Sequence, residues 1–421
     1  MKKILLKSVK VINPESNYHQ KIVDVLLHDG MIIEVNNKID ITDTKTEVID
    51  AKGQFLSPGF FDLNVNFGEP GLENKESLES GCNAAAAGGF TGLALMPNTQ
   101  PPIHSKAEVC FIVNQTKSSL IDVYPLGCIS HNREGKNLAE LFDMQQSGAI
   151  AFTDGNKAVS DAGLMSRALL YTKGFDGLVF SYAEDATIAG NGKMNEGQMS
   201  TLLGMKGNPS LAEELMVSRD LYLAEYNDSK IHFSTLSTVR SIELIREAKA
   251  KGVKVTCDVA AHHLSLTDEI LSGFDSHYKV KPPLRSSEDV LALKNGLKDG
   301  TIDAIVSQHT PHEVECKDVE FETASYGMIA LQTALPLAIE AGLSAEQIVE
   351  KMALNPRRIL GLPVPTLEIG AKANFIIFNM DDSWVFSTET NRSKSNNSPY
   401  LNQQLKGRMT FICNNNQYYK S

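Results

Sequence analysis

The sequence predicts an α/β protein: a (β/α)8 TIM barrel with a small β-sandwich domain formed by both termini. Three observations lead there. Eight short apolar runs alternate with helix-period segments between residues 61 and 307. Strand-like alternation, with no long helical period, occupies the two ends. The length, 421 residues, suits one large barrel plus an accessory domain. The expected division is 1–57 for the N-terminal part of the sandwich, 58–360 for the barrel and 361–421 for the C-terminal part.

Taken in order, residues 4–12, 22–27 and 31–35 read as strands, the last two joined by a tight turn at Asp29-Gly30. The segment from Met1 to Val9 has only Ile4, Leu5 and Leu6 as an apolar run, too short for a signal-peptide core, and reads as the start of the first strand. The barrel strands are expected at 61–65, 91–96, 123–129, 149–152, 178–182, 231–233, 253–259 and 302–306. Helices are expected at 76–87, 161–171, 211–226 and 239–251, the last stopped by Gly252. Polar connections at 185–209 and 312–327 follow the fifth and eighth strands, on the face where barrel loops form active sites. After a helix ending near residue 360 the chain returns to strands at 374–378, 383–386 and 409–413.

Hydrophobic residues make up 42% and charged residues 22%, the balance of a soluble globular protein. No apolar run approaches the roughly 20 residues that span a bilayer. A net charge of −11 argues against nucleic acid or an anionic membrane as partner. Six cysteines without C-x-x-C spacing suggest neither a disulfide framework nor a zinc knuckle, and fit reduced thiols in a cytoplasm.

Amide hydrolysis in such a barrel needs a metal-bound hydroxide and a base beside it, supplied from the C-terminal strand ends. Strand one offers Asn64 and Asn66, which project to one side as two metal ligands would. They are neutral amides, which compete poorly with imidazole for zinc. Strand two ends in Met96-Pro97-Asn98-Thr99, where Asn98 can bond a substrate or brace a turn. Asp154 can ligate a metal but stands before Gly155, as turn-forming Asp does. Tyr182 is a poor zinc ligand, and His232 is a lone strand histidine. Gln308 cannot accept a proton and so cannot be a general base. His309 and His312 could form a site with His263.

Several motifs in order make the chain resemble type I dihydroorotases of the cyclic amidohydrolase group: Ser57-Pro58-Gly59-Phe60, Met96-Pro97-Asn98-Thr99, Asn195-Glu196-Gly197, Pro282-Pro283-Leu284-Arg285, Leu331-Gln332-Thr333-Ala334-Leu335-Pro336 and Asn355-Pro356-Arg357-Arg358. The resemblance implies a barrel of the amidohydrolase type, zinc, and reversible cyclisation of carbamoyl aspartate to dihydroorotate in pyrimidine synthesis. It also marks departures. The pattern D-x-H-x-H-x-R-x-P-G falls on Asp62, Asn64, Asn66, Gly68, Pro70 and Gly71, replacing two zinc histidines and a carboxylate-clamping arginine. The family's other metal positions fall on Gly155, Tyr182 and Thr235, its catalytic aspartate on Gln308, and a substrate-side asparagine on Lys281.

The expectation is therefore a dihydroorotase-like protein of UMP synthesis that is non-catalytic, with no metal at the positions of Asn64, Asn66, Gly155, Tyr182 and Thr235, no base at Gln308, and no cofactor. Asn98, Lys281, His309 and His312 remain as candidates for a substrate pocket. The resemblance also suggests aspartate transcarbamoylase as a partner, and a homo-oligomer. The alternatives are an active cyclic amide hydrolase with an altered site, using zinc if the family chemistry persists, and a non-catalytic sensor of carbamoyl aspartate or dihydroorotate.

Overall fold

The computed structural model describes residues 3–41 and 45–421. Met1 and Lys2 of the expected first strand lie outside these described residues.

Parallel strands Phe60–Val65, Phe90–Leu95, Asp122–Pro125, Val179–Ser181, Ile231–Phe233, Val255–Ala260 and Ala304–Val306 follow one another around a closed ring. The fourth of the eight positions is a bridge: Phe152 pairs with both Gly127 and Val179. A pairing of Val65 with His309 closes the ring between last and first strands. The expected strand at 149–152 shrinks to this bridge because Gly148 and Gly155, both at positive φ, turn the chain on either side.

Buried on both faces, these strands read as apolar runs. Phe61, Leu63, Ala94, Leu126, Phe180 and Val306 fill the interior as a packed core. Arg357 plugs one end, donating to the carbonyls of Gly59 (2.6 Å) and Ala353 (2.7 Å) and to Thr91 Oγ1 (2.9 Å). Burial lowers its guanidinium to about 10.

Helices Leu78–Gly88, Ala162–Lys173, Leu211–Asn227 and Val239–Ala250 occupy the expected segments. Ser77 caps the first through its hydroxyl, and Ala84, Ala85 and Ala86 pack tightly against the barrel. Val239–Ala250 ends one residue earlier than expected: its cap residue is Lys251, and Gly252, the expected cap, follows at φ +83° one position beyond it.

Both termini build one eight-stranded sheet. Ile4–Val11 pairs parallel with Glu47–Asp50 and Phe55–Pro58 and antiparallel with Ile22–His28, which in turn pairs antiparallel with Met31–Asn36. Phe55–Pro58 pairs with Phe375–Phe386, linking the N-terminal strands to Gln403–Asn414 and Gln417–Lys420. Ile4, Val25, Ile32, Phe375 and Phe411 share its core.

The expected strands at 374–378 and 383–386 are a single strand, interrupted by a register shift between Asn379 and Ser383. Gln417–Lys420 escapes the sequence reading because its composition is polar. It is recruited by a tight turn at Asn415 and Asn416, both at positive φ.

The connection at 185–209 carries the short parallel pair Met194–Asn195 and Gly207–Asn208. Buried Arg285 ties it to the barrel, donating to Asn195 Oδ1 (2.9 Å), the Asn208 carbonyl (3.0 Å) and Ser237 Oγ (3.1 Å). No helix among the described residues is long and apolar enough to cross a membrane.

Candidate functional site

A cavity of about 170 Å³ lies at the C-terminal ends of the strands. Its wall includes Asn64, Asn66, Asn98, Tyr182, Lys281 and Gln308, so these positions singled out in the sequence do converge. Gly155, Asn156, Ser234, Thr310 and Tyr326 complete much of the rest.

The strand-one amides are bonded into this wall. Asn64 Nδ2 donates to Ser234 Oγ and Thr235 Oγ1, each at 3.2 Å. Asn66 Nδ2 donates to the His309 carbonyl and Thr310 Oγ1, each at 3.1 Å, and its Oδ1 accepts from Asn98 Nδ2. Beneath them Asp62 accepts from the backbone N–H groups of Asn64 and Ser307, both at 3.0 Å. Burial pushes the Asp62 carboxyl up to about 7 against those hydrogen bonds, with the Asp258 charge adding to the rise.

Tyr182 lies buried in the wall, and its hydroxyl has no hydrogen-bond partner among the described residues. Burial, then the charges of Glu184 and Glu213, raise that hydroxyl well above the usual phenol range. Lys281 Nζ pairs with Glu184 Oε1 at 2.6 Å. Gln308, at φ +54°, donates through Nε2 to the Lys281 carbonyl at 2.9 Å.

His232, His263, His309 and His312 are each bonded outside the cavity. Fully buried His232 holds Thr256 Oγ1 at 2.8 Å and Asp258 Oδ2 at 2.9 Å. His309 turns away from the cavity: its Nε2 meets Glu76 Oε2 at 3.3 Å, while Nδ1 accepts from the Ala330 N–H at 3.1 Å. His312 stands behind the wall with Nε2 on the Tyr326 carbonyl at 2.9 Å, and His263 bonds the Pro282 carbonyl at 3.1 Å. Burial lowers both His263 and His312 to about 4, which keeps these rings neutral at pH 7. The expected grouping of His263, His309 and His312 is therefore replaced by three separate structural bonds. Asp154 serves as a brace, accepting from the Ser130 N–H at 2.9 Å and from its hydroxyl.

Tyr326 was missed in the sequence because a loop places it. Two buried lysines hold that loop. Lys279 Nζ donates to the carbonyls of Phe321, Glu322 and Ala324 at 2.6–2.9 Å. Lys317 Nζ donates to those of Ser325 (2.8 Å) and Gly327 (3.0 Å). The Tyr326 hydroxyl then reaches the Gly192 carbonyl at 3.1 Å, joining the two long connections over the cavity.

Residues 53–241 match the dihydro-orotase-like family and residues 211–402 the amidohydrolase family. A protein named dihydroorotase from Geobacter sp. (strain M21) is 43% identical over 413 residues, 97% of each chain. Another from Geotalea daltonii is 44% identical over 409 residues, 96% of each.

The chain belongs to the dihydroorotase family. Its fold is shared with the L-hydantoinase (dihydropyrimidinase) of Arthrobacter aurescens, at a TM-score of 0.86 and 24% identity, covering 100% of this chain and 96% of that one.

The dihydroorotase resemblance implies zinc, and the donors present do not fit it. The cavity offers amides, hydroxyls and an ammonium. Among the described residues no three His, Cys, Asp or Glu side chains converge as a metal site requires. Two positions are also closed sterically. A Cβ on Gly155, itself at φ +66°, would stand 2.1 Å from Asn98 Oδ1. A Cβ on Gly68 would stand 1.8 Å from the Leu72 carbonyl oxygen, so the present backbone leaves no room there for an arginine.

Proposed function

We propose that this chain is a non-catalytic member of the dihydroorotase family that serves de novo pyrimidine synthesis in the cytoplasm as a structural or regulatory partner of aspartate transcarbamoylase. The observation that carries the loss of catalysis is the hydrogen bonding of Asn64 to Ser234 and Thr235, which joins strand one to strand six with neutral groups only. Without ligands for a metal-bound hydroxide, and with Gln308 where the resemblance implies a base, the protein supplies neither nucleophile nor proton acceptor. The partner is suggested by the family resemblance, which extends over the whole barrel. Isolation of the native complex tests it: co-purification with transcarbamoylase, and altered transcarbamoylase activity on deleting this chain, are expected. Absence of both overturns the partner role.

A second reading, an active dihydroorotase with a rearranged site, is favoured by 43% identity over 97% of a protein bearing that name. A zinc-supplemented dihydroorotate assay separates the two readings.

A further inference from the structure

The cavity retains binding chemistry that the wall itself does not satisfy. The Tyr182 hydroxyl and Asn98 Oδ1 are both buried without a hydrogen-bond partner among the described residues. Turning the Asn98 amide over exchanges its oxygen and nitrogen but leaves one of them unbonded. Unpaired buried polar groups are costly, and a ligand toward which these side chains turn recovers that cost. The space, about 170 Å³, is several times the ~30 Å³ share of a liquid water molecule.

The charge of the wall selects among ligands. Lys281 is the only cation among the described residues lining the cavity, and it is already paired with Glu184 at 2.6 Å. Arg133 lies behind Asn156 and is engaged by that side chain and by the Asp154 carbonyl at 2.9 Å. The remaining polar wall is amide and hydroxyl, which both donate and accept. A carboxylate entering here would lose its water, find no unpaired cation, and face the Glu184 charge.

We propose that the cavity binds a small uncharged ligand presenting both hydrogen-bond donors and acceptors, and rejects the same ligand bearing a carboxylate. The proposal rests on the non-catalytic reading above, since the bound ligand is left unchanged.

The test is titration calorimetry on the full chain with two matched probes, dihydrouracil and dihydroorotate, which differ by the carboxylate. The wild type is expected to bind dihydrouracil at least about tenfold more tightly. Glu184→Gln, which leaves Lys281 without a charged partner, is expected to narrow or reverse that ratio. Tyr182→Phe is expected to weaken dihydrouracil binding with no loss of thermal stability. Equal or tighter dihydroorotate binding by the wild type, or no binding of either probe at millimolar concentration, overturns the proposal. Product analysis of the same mixtures separates the two claims: conversion of dihydroorotate contradicts the non-catalytic reading, whereas carboxylate preference without conversion contradicts this proposal alone.

Discussion

Asn64 and Thr235 are bonded to each other, amide nitrogen to hydroxyl oxygen, at 3.2 Å. The family resemblance implies metal ligands at both positions. Thr235 continues inward through its N–H to Asp258 Oδ1 at 2.7 Å, and Asp258 holds His232 at 2.9 Å. Strands one, six and seven are thus joined by hydrogen bonds at their C-terminal ends.

Restoring part of the ligand set does not restore a metal site. In Asn64→His/Asn66→His, Tyr182, Thr235 and Gly155 still stand at the other positions, and a convergent set of three or four ligands is not reached. The double variant is expected to retain no zinc after desalting, as read by elemental analysis. Stoichiometric retention would show that the remaining wall can complete a site.

Gly68→Arg tests whether the clamp position is closed. Its Cβ would meet the Leu72 carbonyl oxygen at 1.8 Å, and both residues are fixed by backbone bonds, Gly68 N–H to the Glu76 carbonyl (2.9 Å) and Leu72 N–H to the Gly68 carbonyl (2.8 Å). A loss of about 1–3 kcal/mol is expected in urea unfolding. Unchanged stability would mean that this loop yields easily.

Tyr182→Phe removes a buried hydroxyl that bonds no group among the described residues. Stability is expected to hold or to rise by up to about 1 kcal/mol. A loss of comparable size, measured by thermal unfolding, would reveal a partner for the hydroxyl.

Two buried groups give opposite pH dependences. Asp62 titrates near 7 when folded against 3.8 ordinarily, so its contribution to stability is full below the ordinary value and is lost as pH rises through about 7. His312 titrates near 4 when folded against 6.5, so stability is lost as pH falls across that interval. Urea midpoints measured at about pH 5 and about pH 8 are expected to show Asp62→Asn gaining more at the higher pH and His312→Gln gaining more at the lower. Equal shifts at both values would contradict these assignments.

The barrel was legible because strands buried on both faces leave continuous apolar runs, as Phe61 to Val65 does. The fourth strand and Gln417–Lys420 were not so readable, since the first reduces to one bridge and the second pairs through its backbone despite a polar composition. In the site, Asn64, Asn66, Asn98, Tyr182, Lys281 and Gln308 were legible because each stands within a few residues of a strand end or a motif. The direction of His309 was not, because its partner Glu76 lies 233 positions away in sequence. Tyr326 reaches the wall only through the bonds Lys279 and Lys317 make to loop carbonyls, which no local pattern records.

On the non-catalytic reading, this family member carries no metal-hydroxide chemistry. The most direct measurement follows dihydroorotate hydrolysis by the full chain, as purified and after zinc supplementation, with zinc content determined on the same samples. The predicted result is neither stoichiometric zinc nor turnover above the uncatalysed rate in either sample. Bound zinc together with zinc-dependent hydrolysis would contradict the non-catalytic reading.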